Sequence, residues 1–129
     1  MRKTTMICLL LFVFSLPMLG QSQPQWVVVY SVSLYDQTRS IPWTTAFTPT
    51  ENAVYRISGC LEGSAQSNPD AVVNWARGDG NEATDFTMLT GGNYSFVFMP
   101  RVGIPVRYYV SAKGTYSVAF TIEQLQTSD

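Results

Sequence analysis

From residue 26 onward the chain alternates apolar and polar residues with a period of two, in short runs separated by Gly, Pro, Asn and Asp, and that spacing admits strands and little else. In residues 26–35 (WVVVYSVSLY) it puts Val28, Tyr30, Val32 and Leu34 on one face. A short run around Trp43–Phe47 is bracketed by Pro42 and Pro49. Residues 53–62 set Tyr55, Ile57, Gly59 and Leu61 against Arg56, Ser58 and Cys60. Val73 and Trp75 alternate with Val72 and Asn74, and Arg77-Gly78-Asp79-Gly80-Asn81 then turns the chain toward a return strand at Phe86–Leu89. The last third gives Tyr94, Phe96 and Phe98, then Val106, Tyr108, Val110 and Ala112, and after Lys113-Gly114 the series Tyr116, Val118, Phe120 and Ile122.

About eight such strands predict an all-β, two-sheet antiparallel sandwich of jelly-roll type. A parallel sheet needs crossovers of a dozen or more residues, for which the connections have no room.

The first twenty residues follow a different rule. Arg2 and Lys3 precede an uncharged run from Ile7 to Leu16, broken by Pro17 and Gly20. This is the pattern of a secretory signal peptide, too short to span a bilayer as a helix. It predicts a leader at 1–20, a flexible segment at 21–25 and a single domain at 26–129, released to the periplasm or the extracellular space with no membrane span after signal removal. Cys8 lies inside the apolar run, where a lipoprotein cysteine would not. Removing residues 1–20 from the 129-residue chain leaves 109, enough for one core. Without Arg2 and Lys3 the 8 basic residues become 6 against 9 acidic ones, a net charge of about −3, with no basic cluster to neutralise phosphates, so nucleic acid is not an expected partner. Loss of Cys8 makes Cys60 a free thiol, and its alternation with Arg56 and Ser58 places it on the more polar face, a position that a neighbouring subunit would cover.

The chain has no histidine, which removes the commonest general base and the commonest zinc ligand, and with them hydrolase triads and metalloprotease motifs. No spacing singles out a pair of carboxylates, and neither an enzymatic activity nor a cofactor is expected. Asp79, Asn81 and Asp85 stand at relative positions 1, 3 and 7 of a Gly-containing loop, a spacing calcium can use, but Ala83 and Thr90 occupy the positions where a full loop needs further oxygen ligands. Turn chemistry alone accounts for Asp79-Gly80-Asn81. Arg77-Gly78-Asp79 spells an adhesion tripeptide, and Asn93-Tyr94-Ser95 a glycosylation acceptor at the start of a strand. Of the three tryptophans, Trp75 belongs to the apolar series and to the core, whereas Trp26 and Trp43 are candidates for an exposed platform that stacks on sugar rings.

Phe47-Thr48-Pro49, Val54-Tyr55-Arg56-Ile57, the Trp-containing strand and Gly-rich turn from Val73 to Gly80, Gly103-Ile104-Pro105-Val106 with Tyr108, and Tyr116-Ser117-Val118 leading to Ile122-Glu123-Gln124-Leu125 together resemble small bacterial and phage-associated β domains of the C1q/TNF-like jelly-roll type. The resemblance covers residues 40–125 and departs at Asn52-Ala53, where a Gly before the Tyr is usual. It implies no catalytic residues and a homo-oligomer, a trimer, acting as a structural or binding module. The sequence reading is therefore a non-enzymatic module presenting a surface for self-assembly or for a protein or glycan ligand, with a carbohydrate-binding module using Trp26 and Trp43 as the alternative.

Overall fold

The computed structural model describes residues 23–78 and 82–126. The expected leader at 1–20 and the turn residues Asp79 and Asn81 lie outside them. Eight strands follow in order: β1 (Gln25–Gln37), β2 (Ile41–Phe47), β3 (Tyr55–Gly63), β4 (Asp70–Ala76), β5 (Ala83–Leu89), β6 (Asn93–Phe98), β7 (Val106–Ser111) and β8 (Tyr116–Gln126). They form two four-stranded sheets, β1-β8-β3-β6 and β2-β7-β4-β5, antiparallel at every pairing. Successive strands pass from sheet to sheet except in the β4-β5 hairpin, and this is the strand order of a jelly roll.

Period two becomes burial directly. The inner face of β8 is Tyr116, Val118, Phe120 and Ile122, all buried, and that of β4 is Ala71, Val73 and Trp75. Trp75 fills the core, as the alternation predicts, with its ring 4.8 Å from that of Phe98. Phe120 lies 5.1 Å from Tyr108, and the Oη atoms of Tyr30 and Tyr108 share a 2.8 Å hydrogen bond across the sandwich. That bond gives two covered hydroxyls a partner, which burial would otherwise make costly. Burial is the main cause, and the Tyr30 bond the second, that pushes the Tyr108 phenol far above its ordinary value of 10.0; burial also raises Tyr116.

Two expectations meet corrections. Val28 is 57% exposed rather than inside with Tyr30, because Val28 pairs with Glu123 and Tyr30 with Ile122, leaving Val29 as an extra residue. One residue inserted into a strand turns everything before it to the opposite face. Trp26 and Val28 therefore lie on the outer face. Cys60 does occupy the outer face of β3, but it is only 3% exposed and is disulfide-bonded, not a free thiol. The expected free thiol depended on Cys8 leaving with the leader, and Cys8 lies outside the described residues.

Gly59 sits on the inner face of β3, where the neighbouring strands supply Phe120 and Tyr94. A Cβ at this position would stand 2.6 Å from Phe120 Cβ. Gly59→Ala is expected to lower unfolding stability by about 1–3 kcal/mol, the range for overpacking a core, in urea titrations. The raised tyrosines set a second expectation. A phenol whose folded pKa exceeds its unfolded value contributes stability that is intact below pH 10 and is lost as pH rises above it. Stability should thus fall above about pH 10, and less steeply in Tyr108→Phe, as read from denaturant midpoints across an alkaline pH series.

Candidate binding face

The outer face of the sheet β2-β7-β4-β5 carries a row of polar side chains set by register. Thr45 pairs with Arg107, Arg107 with Asn74, and Asn74 with Asp85, so four strands contribute one residue each. Asn74 Nδ2 donates to Asp85 Oδ1 at 2.6 Å, which orients the amide and holds the carboxylate in the row. Trp43 flanks it. Its ring meets Tyr109 edge-on, with centroids 4.6 Å apart at 82°, and the Arg107 guanidinium lies over one face at 5.2 Å from the centroid. Trp43 remains 47% exposed even so. An aromatic ring held by an edge contact keeps a face open while losing little entropy when something lands on it.

Next to this row is a cleft of about 410 Å³ lined by Asn74, Ala76, Ala83, Arg101, Ile104, Pro105 and Arg107. Alanines at two outward positions of the β4-β5 hairpin leave the space, and the 99–105 loop walls it. That loop is pinned at two interior points: Arg101 N donates to Ala76 O at 2.8 Å and Gly103 N to Pro49 O at 2.9 Å. Gly103 has φ 84°, a left-handed conformation that glycine adopts without penalty and that reverses the chain beside the cleft.

The two tryptophans expected to form a platform are separated. Trp26, on β1, belongs to the outer face of the other sheet, and Arg56 covers its ring at 4.3 Å. Arg56 is itself fixed by Glu123, with Nε and Nη2 donating to Oε1 at 3.2 and 2.9 Å. The planar guanidinium takes the stacking position that a ligand would need.

No protein-family model matches the chain, and no curated protein matches it. Solved structures do. The chain is similar to a structure of Bacillus endospore appendages, a family of disulfide-linked pili (18% identity, TM-score 0.42, covering 87% of this chain and 98% of that one). It is also similar to a family 16 carbohydrate-binding module (11%, TM-score 0.37, 88% and 89%) and to BiXyn10A CBM1 in its apo form (9%, TM-score 0.35, 82% and 90%). No residue role is carried over from any of them.

Among the carboxylates, Asp85 is held by Asn74, Glu123 by Arg56 and Glu51 by Gln124, whose Nε2 donates to Glu51 Oε1 at 2.6 Å. Of the three weak calcium candidates only Asp85 lies within the described residues, and there it serves the polar row. No group of three or more metal-ligating side chains occurs among the described residues. Sequence reasoning singled out Trp43 and Asp85 but missed Arg107, Asn74 and Tyr109. The available signal was their outward position in strands with apolar inner faces, where a large polar residue needs no structural reason to be present. For Cys60, mapping the unreduced native protein should recover it only in a disulfide-linked peptide, with no maleimide uptake until reductant is added; a labelled Cys60 in native protein is the opposing result.

Proposed function

We propose that this chain is an exported, non-catalytic β-sandwich module that binds glycan chains across the outer face of β2-β7-β4-β5. The observation that carries the reading is the open Trp43 ring fixed by Tyr109 beside the Arg107-Asn74-Asp85 row. A sugar presents an apolar C–H face and a rim of hydroxyls. The ring takes the first, and planar guanidinium, amide and carboxylate groups each take paired hydroxyls of the second. The cleft beside Pro105 and Ile104 has room for a further sugar unit along the same line, so the face suits a chain rather than a single residue.

Trp26 does not share this role, because Arg56, held by Glu123, lies closer over its ring than Arg107 does over that of Trp43, and Trp26 is the less exposed of the two. Titration of soluble polysaccharides, followed by tryptophan emission and calorimetry, should give a saturable shift for at least one glycan class. Trp43→Ala should weaken that binding about thirtyfold or more, as expected when a central aromatic anchor worth about 2 kcal/mol is truncated. Trp26→Ala should leave it unchanged. Absence of binding across a broad glycan array, or equal losses in the two variants, would sink the reading.

A further inference from the structure

The two edge strands of the sheet β1-β8-β3-β6 carry almost none of the charge and none of the proline that normally keep a sheet edge from pairing. Strand β6 (NYSFVF) has no charge, no proline and no register shift, and it leaves Phe96 and Val97 exposed, with Met99 just beyond its end. Strand β1 is thirteen residues long, carries no charge before Asp36 and no proline, exposes Val27, Val28 and Val29, and between its two register shifts runs in unbroken register from Tyr30 to Leu34. The other sheet differs. Its edge strand β2 contains Pro42, and its edge strand β5 contains Asp85 and follows Glu82. Charges and prolines are devices by which proteins protect edges, so their placement on the edges of one sheet and their near absence from the other within one molecule is informative.

We infer that β6 of one copy pairs with β1 of the next, head to tail, so that the sheet β1-β8-β3-β6 continues from copy to copy. Strand direction supports this. Each neighbour within the sheet is antiparallel, so β1 and β6 run in opposite directions, and a copy displaced along the sheet brings its β1 beside β6 in the antiparallel sense, about 4.8 Å away.

The faces match as well. At the β5-β6 side the sandwich gapes into a cleft of about 550 Å³ lined by Trp75, Phe96, Phe98 and Met99 among others, with the Phe96 ring stacked on Phe86 at 4.8 Å. An incoming β1 continues the inner face of the sheet over this cleft. Its inward series of Val27, Tyr30, Val32 and Leu34 then lies level with Phe96 and Phe98. The contact is heterologous, using different surfaces on the two copies, so it grows an open chain and not a closed pair.

The test uses the full chain and two variants built only from exposed positions: Ser95→Lys/Val97→Lys on β6 and Val28→Lys/Ser31→Lys on β1. Light scattering and sedimentation across a wide concentration range should give a ladder of species for the wild type that dissolves in detergent without reductant, which sets it apart from disulfide-linked forms. Each variant alone should be monomeric with unchanged near-ultraviolet dichroism. An equimolar mixture has one intact β6 and one intact β1, and should stop at the dimer. A second readout needs no variant: amide protection of β6 and β1 in the wild type should rise with protein concentration while that of β2 and β5 does not. A wild type that stays monomeric, a closed trimer that both variants still form, or concentration-dependent protection at β2 and β5 would overturn the inference.

Discussion

The place where Phe120 occupies the space that Gly59 leaves holds the rest of the architecture in register. β8 lies between β1 and β3, and its inner residues meet both neighbours and the opposite sheet. Phe120 packs against Tyr30 on β1 at 6.0 Å and Tyr108 on β7 at 5.1 Å, so one ring ties three strands and both layers. It reaches that position because the residue facing it on β3 has no side chain. A slip of one residue along β8 would turn Phe120, Val118 and Ile122 outward together, which makes the register a single cooperative choice rather than a sum of local ones. The Tyr30-Tyr108 hydrogen bond sits against the same ring and satisfies the polar tips that so aromatic a core brings inside.

With the core settled this way, the outward positions are free to differ between sheets. The face of β2-β7-β4-β5 gathers large polar and aromatic groups from strands far apart in sequence. The facing sheet shows mostly small residues outside, among them Ser58, Ala119 and Thr121, with one covered tryptophan at its end. Its β6 edge carries neither charge nor proline. Face and edge are separate surfaces, so a ligand on Trp43 and a neighbour on β6 do not compete for the same atoms.

Most of this fold was readable because local alternation determines it. All eight strands stand where the period-two runs fall, and Trp75 is inside for the reason the pattern gives. What the pattern misplaced followed from single insertions and distant partners. The bulge at Val29 leaves no mark in a run of three valines, yet it moves Val28 and Trp26 outward. Trp43 was visible as a candidate, but its partners Arg107 and Tyr109 come from a strand more than half the domain away, and register alone brings them together. The cover over Trp26 is equally non-local, since Arg56 and Glu123 meet only across the β3-β8 pairing. Cys60 was on the face that alternation assigns to it, while its burial and its disulfide depend on contacts that spacing along one strand does not encode.

Trp43, and not Trp26, is the exposed tryptophan of the sandwich. Amide and indole chemical-shift mapping during titration with a bound glycan tests this most directly, because it reads both tryptophans in one sample. The predicted result is a set of shifts confined to the Trp43 indole and to residues of β7, β4 and the 101–105 loop, with the Trp26 indole and the Arg56 side chain unmoved. Shifts centred on Trp26, Arg56 and Glu123 would contradict it.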